Sequence, residues 1–424
     1  MSHWIYKARF GFLINAGLVI ASGAISLFIF DWVFIQYENT FLLSSSKNIQ
    51  VSENKTFDLA SLNFKEQSVS ASKDPNTIRI LSIGDSFAYA AVPAPYTYSD
   101  VLESLLNQNG DGKKYEVINL GIPGISFPEY LAQFKFWSSK LDIDGVIFNF
   151  YTGNDLSDMK WLPYSKKEEV RLTNGEFFVG KGAWVPRLYR FRFMDYAKAY
   201  YSMQQPKLQK LLSSDSQRVE RAGMNPWLFT NYFIAGNEPP PFYVNAMRRA
   251  SHAYRVNSID KVQNGYLWLL AMMDLAQQTI DSGKFALILN SPSNLAFSKN
   301  IQKLISELEG IPEDSLDPRL PGTLVASLAE LFKFAGGIID PFECLANHST
   351  AGMELYFSNF SDTHWTREGN DIVGKILADH ISSNWLKITP KTNFSNCSKT
   401  KPLPTKKMED ITLSIYQTWL REQS

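Results

Sequence analysis

Ile78-Arg79-Ile80-Leu81-Ser82-Ile83-Gly84-Asp85-Ser86-Phe87 passes from a short apolar run straight into Gly-Asp-Ser. The first six residues read as a buried strand, and the glycine permits the tight turn that ends it. A strand that breaks into a loop and then a helix is the repeating unit of parallel α/β sheets, in which ligands gather beyond the carboxyl ends of the strands. Ser86 therefore stands where such sheets present nucleophiles. A serine hydroxyl needs a base to take its proton, and far downstream Asp362-Thr363-His364-Trp365 offers a carboxylate and an imidazole within one loop. Together they point to ester cleavage or acyl transfer at a serine.

Outward from this run, short apolar segments alternate with helical patterns. Strands are predicted at Ile78–Ile83, Tyr115–Leu120, Gly145–Tyr151, Phe285–Leu289 and Gly337–Ile339. Helices are predicted near Tyr98–Asn107, Pro128–Lys140, Lys261–Ser282, Asn300–Leu308 and Glu368–Trp385. Five strands with intervening helices predict an α/β fold of the flavodoxin-like, three-layer α/β/α type with a parallel sheet. The alternation stops over about 158–259, far beyond an ordinary connection, which predicts an insertion beside the sheet, helical in part. Either a lid over the site or a packing subdomain fits it, and its aromatic residues also suit a position against a membrane. The tail at 387–424 is basic and polar to Lys407, after which Ile411–Trp419 has the pattern of a short amphipathic helix.

Lys and Arg total 42 and Asp and Glu total 42 among 424 residues, so the formal net charge is zero. No basic field exists to favour nucleic acid. Cys344 and Cys397 match no metal-ligand spacing; they either bridge in an oxidising compartment or stay unpaired. No metal or cofactor is expected. The N-terminus is informative about compartment, because Phe10–Phe30 carries no charge and reaches the ~20 apolar residues needed to span a bilayer. Lys7 and Arg9 precede it and Asp31 and Glu38 follow, with Trp32 and Tyr37 at the interface. The positive-inside rule then puts residues 1–9 in the cytoplasm, a transmembrane anchor at 10–35, and the rest outside. A cleaved signal peptide is the rival, but its apolar region is usually only ~7–15 residues. A linker at 36–76, rich in Ser, Asn and Lys, would join the anchor to an enzyme-like domain at 77–386.

Four segments fall at or just beyond predicted strand ends: Gly84-Asp85-Ser86, Asn119-Leu120-Gly121-Ile122-Pro123-Gly124, Tyr151-Thr152-Gly153-Asn154-Asp155 and Asp362-Thr363-His364. Glycines in the second let a backbone N–H approach a reacting carbonyl oxygen, and the Asn154 amide is a candidate oxyanion donor. Each alone also reads as turn chemistry. Of the other histidines, His3 precedes the anchor, His252 lies in the insertion, His348 in an acid-free stretch and His380 within the last helix. Only His364 has a carboxylate beside it in a loop after the last strand.

In this order the four segments resemble the SGNH hydrolases, also called GDSL lipases and esterases, over about 77–158 and 285–385. The resemblance implies Ser86 as nucleophile, His364 as base and Asp362 as the residue orienting the imidazole. It implies an oxyanion hole from the Ser86 N–H, the Gly124 N–H and the Asn154 side chain. The family usually has two residues between Asp and His, whereas here only Thr363 intervenes. The Asp-x-His-Trp form resembles extracytoplasmic polysaccharide O-acetyltransferases of the alginate-modifying type. Asp340, at the end of the last strand, is an alternative orienting residue, although a structural role suits it better.

The resemblance and the anchor together imply an envelope enzyme facing the periplasm or cell exterior. It would act as a serine esterase or O-acyltransferase on O-acyl, chiefly acetyl, esters of polysaccharide. Transfer would need a membrane partner that supplies acyl groups. A lipid or small-ester hydrolase and a non-catalytic carbohydrate-binding relative are the alternatives.

Overall fold

The computed structural model describes residues 56–59, 64–65, 68–108, 111–157, 170–173, 176–179, 241–350, 353–356, 363–394 and 406–423. All of these belong to one compact unit. The expected anchor at 10–35, most of the insertion, Asp362 and Cys397 lie outside the described residues. No helix among the described residues is long and apolar enough to cross a membrane.

Five strands form one sheet: β1 (Thr77–Gly84), β2 (Lys114–Asn119), β3 (Gly145–Tyr151), β4 (Phe285–Ser291) and β5 (Gly337–Ile339). The order is β2-β1-β3-β4-β5 and every pairing is parallel. That order reverses direction between β1 and β3, and their carboxyl ends flank the crevice where open α/β sheets bind ligands. Ile83 pairs with Phe148 and Gly84 with Asn149, so the turn into Ser86 leaves the sheet beside the end of β3.

Residues alternate strictly between the two faces of the central strands, because successive Cβ atoms of a strand point to opposite sides. Leu81, Ile83, Val146, Phe148 and Ile288 enter one core. Ile80, Ile147, Leu287 and Leu289 enter the other. The first core is closed by α3 (Phe127–Ser138), α5 (Ile259–Asp281), α7 (Leu320–Phe332) and α10 (Lys406–Gln423). The second is closed by α2 (Tyr98–Asn107), α8 (Phe342–Thr350) and α9 (Arg367–Ile381). Helices on both faces make three layers, as the alternation predicts.

Most predicted elements recur within one or two residues, among them α6 (Lys299–Glu309), and the tail helix is longer than Ile411–Trp419. Two helices were not predicted, α7 and α8. The stretch read as a linker contributes structure: Thr56–Asp58 pairs antiparallel with Ser68–Ser70, and Phe57, Leu59, Phe64 and Val69 are buried in the first core. Phe57 and Phe64 meet the Trp137 ring edge-on at 5.6 and 5.8 Å. Within the insertion, Val170–Thr173 pairs with Glu176–Val179, and α4 (Pro241–Ser251) is the described helical part.

One contact ties the core to the end of β3. Gly265 of α5 lies against the backbone of Leu156, and a Cβ there would come within 2.5 Å of the Leu156 Cα. Backbone cannot yield as a flexible side chain does, so α5 fixes where the Asn154-Asp155 turn sits. Replacing Gly265 with Val should destabilise the fold by about 1–3 kcal/mol, read as a lower urea midpoint at unchanged slope.

Candidate active site

Ser86 opens α1 (Ser86–Tyr89), a single helical turn entered directly from β1. Its side-chain environment is half-buried, whereas Asp85 before it and Phe87 after it are buried. Asp85 caps the turn by accepting the Phe87 N–H at 2.8 Å. At the other end, the Asn119 amide donates to Ala88 O at 2.8 Å while its own oxygen accepts the Gly121 N–H at 3.0 Å. Lys65, from the segment before β1, donates to the carbonyls of Tyr89 (2.9 Å), Ala90 (2.8 Å) and Val92. One ammonium thus neutralises the carbonyl end of the turn that carries Ser86.

Phe87 gathers the remaining pieces. Its ring stacks on Tyr151 at the end of β3 with centroids 4.0 Å apart. The His364 ring lies 5.0 Å away, and Trp365 meets Phe87 edge-on, also at 5.0 Å. The histidine loop is fixed from its far side. Thr366 caps α9, donates to Glu354 O at 2.6 Å and receives the Gly369 N–H. Asn370 accepts the Tyr98 N–H of α2 at 3.1 Å and donates to Thr366 O at 2.9 Å. His364 is buried, with 6 % of its surface exposed.

Gly124 sits in the loop after β2 with φ +82, a conformation in which glycine carries no Cβ penalty, and the space a Cβ would enter is open. Asn154 is exposed in the turn after β3, and its side chain reaches the Asp85 carboxylate. Burial raises the Asp85 pKa to about 6, opposed by the Phe87 N–H, by charge on His364 and by Asn154. The segments of Ser86, Asn154 and His364 therefore converge on Asp85 and Phe87. Asp362 is outside the described residues. Asp340 is buried and accepts the Phe342 N–H at 3.1 Å, the geometry of a helix cap for α8. His348 contacts Cys344 O, and His252 contacts Arg255.

Sequence reasoning did not single out three residues of this site. Phe87 and Asp155 lie next to residues that were named, but only packing shows what each touches. Lys65 has no local signal, since its partners are more than twenty residues away. A groove of about 610 Å³ between α2 and α9 is bordered by Tyr96, Asp100, Met353, Arg367 and Asp371, with Arg367 stacked 3.6 Å over the Tyr96 ring. Its lining includes neither Ser86 nor His364, so no part of the chemistry is assigned to it. Among the described residues no cluster of His, Cys, Asp or Glu could hold a metal ion.

Replacing Lys65 with Met should cost about 1–3 kcal/mol of stability, because three carbonyls lose one charged donor. Hydrogen exchange should speed up at Tyr89 and Ala90 while amides of β4 keep wild-type protection. Unchanged exchange at the turn would refute the role assigned to Lys65.

No family model and no curated protein matches the chain. Among solved structures it is similar to a member of the lipolytic G-D-S-L family from Veillonella parvula, at 10 % identity over 73 % of this chain and 100 % of that one, TM-score 0.34. It is similar to a lipase/acylhydrolase from Enterococcus faecalis, at 13 % identity over 74 % and 100 %, TM-score 0.35. An acetylxylan esterase from Geobacillus stearothermophilus matches at 12 % identity over 73 % and 95 %, TM-score 0.33.

Proposed function

We infer that the chain is an acyl-serine enzyme acting on O-acyl esters of cell-envelope polysaccharide, with Ser86 as nucleophile and His364 as base. The observation that carries this reading is the 5.0 Å packing of His364 on Phe87, the residue next to Ser86. A loop after the last strand and a turn after the first meet at the sheet edge where parallel α/β folds bind ligands.

In the proposed reaction His364 takes the Ser86 hydroxyl proton as Oγ attacks the ester carbonyl carbon. The oxyanion is held by the Ser86 N–H, the Gly124 N–H and the Asn154 amide, with Asp362 orienting the imidazole. Collapse breaks the bond to the alcohol, which leaves with the proton from His364, and an acyl-serine remains. A second hydroxyl, from water or a sugar, gives its proton to His364 and takes the acyl group, restoring Ser86. Water as acceptor makes an esterase and a sugar makes an O-acyltransferase. The catalytic residues are the same in both.

Support for a location outside the cytoplasm comes from two independent features. Cys344 is disulfide-bonded, and Cys397 is the only other cysteine in the chain. Disulfides persist in oxidising compartments. The uncharged run at Phe10–Phe30 suits an anchor with the domain outside. A membrane protein supplying acyl groups is the partner this reading asks for if transfer is the outcome.

The full-length chain, purified in detergent, should hydrolyse p-nitrophenyl acetate and be labelled at Ser86 by a fluorophosphonate, located by peptide mass. Ser86→Ala and His364→Ala should each lower kcat at least about a thousandfold without loss of folding. Equal rates in wild type and both variants would sink the assignment. With an acetylated donor and an oligosaccharide acceptor, mass spectrometry then reads the outcome directly: acetylated sugar marks transfer, and free acetate alone marks hydrolysis.

A further inference from the structure

A buried tyrosine connects the two arms of the candidate site. Tyr98 is the first residue of α2 and has no exposed surface. Its hydroxyl lies 2.7 Å from the Ser82 hydroxyl of β1 and accepts the Asn149 side-chain amide of β3 at 3.2 Å. Ser82 and Asn149 are fully buried as well, and each is held a second time. Ser99 donates to Ser82 Oγ at 3.2 Å, and Ser291 of β4 donates to Asn149 Oδ1. Polar groups between two strands and a helix are tolerated because they are paired, and once paired they fix one arrangement.

The backbone of the same residue faces the histidine loop. A helix leaves its first N–H groups without partners inside the helix, and Tyr98 carries the first of them. Asn370 of α9 accepts it through Oδ1 at 3.1 Å. Nδ2 of Asn370 donates to Trp365 O at 3.3 Å and to Thr366 O at 2.9 Å, the carbonyls of the two residues that follow His364. The helices are packed closely enough for this: a Cβ on Gly374 of α9 would meet the Val101 side chain at 2.6 Å and the Tyr98 carbonyl oxygen at 3.0 Å.

Ser82 stands four residues before Ser86 on the strand that delivers it, and Asn370 six residues after His364. Hydrogen bonds therefore run from the strand of the candidate nucleophile, through one tyrosine and its own N–H, to the backbone that follows the candidate base. We propose that Tyr98 is a positioning residue that sets His364 against Ser86, its hydroxyl anchored in the sheet and its N–H holding the histidine loop through Asn370. Phe87 packs on the same loop, but ring contacts tolerate sliding, whereas hydrogen bonds of these lengths are directional. The register of the loop is thus set by Tyr98 and Asn370. Burial pushes the Tyr98 pKa up to about 12, so the hydroxyl stays neutral and acts by position, not by charge.

This deepens the acyl-serine reading and rests on it for one of two tests. The first test needs no activity and uses the full-length chain in detergent. Tyr98→Phe keeps the ring and the N–H and removes only the sheet anchor; Asn370→Ala cuts the other end. In each variant, amide hydrogen exchange in a peptide spanning 363–370 should speed up about threefold or more while β4 amides keep wild-type protection. Unchanged exchange in that peptide overturns the proposal. So does an equal rise at β4, which marks a general loss of stability. The double variant should exchange no faster than the faster single variant, because both changes break one chain of contacts, and additive effects also overturn it.

The second test reads the site at a temperature far below every melting point. Fluorophosphonate labelling of Ser86 should slow about tenfold or more in both single variants, since small misplacements of a catalytic group are costly. A merely structural tyrosine would lower Tm and leave the labelling rate of the folded protein unchanged, which would overturn the proposal. If Ser86 is labelled in none of the proteins, the acyl-serine reading fails, and hydrogen exchange alone decides whether Tyr98 sets the loop.

Discussion

Phe87 is the side chain on which three distant parts of the chain meet. One face of its ring stacks on Tyr151, which ends β3, while His364 and Trp365 close around it from the loop before α9. Aromatic pairs of this kind contribute about 0.5–1.5 kcal/mol each beyond the area they bury. The larger consequence is geometric. The residue beside the candidate nucleophile is held at once by the end of β3 and by the histidine loop, so its position depends on both. Trp365, almost wholly buried, carries the same constraint onward to Tyr98 of α2, at 6.3 Å.

Around Phe87 the backbone of the Ser86 turn is constrained at nearly every group. Asp85 takes the Phe87 N–H, Asn119 supplies a donor to Ala88 O, and Lys65 supplies donors to Tyr89, Ala90 and Val92. Ala90 itself has φ +63 and ψ 138, a region that a residue with a Cβ rarely adopts. Such a conformation persists only where its surroundings over-determine it. The Lys65 clamp on both sides of Ala90 is that surrounding.

Much of the sheet was legible because its central strands are buried on both faces and read as short, mostly apolar runs, broken only by single polar residues such as Ser82 and Asn149. Gly145–Tyr151 has both its limits visible because it opens on a glycine and runs into the turn sequence Gly153-Asn154-Asp155. The helix α7 was hidden by Pro321-Gly322 near its start, which reads locally as a turn although proline is well tolerated in a first helical turn. The paired segments at Thr56–Asp58 and Ser68–Ser70 are three residues each, too short for any period to show. Among the candidate site residues, Ser86, Gly124 and Asn154 stand out because each belongs to a short motif just after a strand, and His364 because a carboxylate stands two residues before it, although α8 separates it from the end of β5. Asp155 looked like the second half of a Gly-Asn-Asp turn. It is buried, and its carboxylate accepts the hydroxyl of Tyr130, which no local pattern connects to it.

The Lys65 contact also bears on where this enzyme-like unit begins. The strand-helix alternation starts at Thr77, and a cut placed there by sequence pattern would look clean. It would remove Phe57, Leu59, Phe64 and Val69 from the first core and take away the ammonium that closes the Ser86 turn. A fragment that keeps these four core residues and the Lys65 contacts to the Ser86 turn must start no later than Thr56, whose strand pairs with Ser68–Ser70. What resembles a tether in composition belongs, in its described parts, to the core of the unit it was expected only to carry.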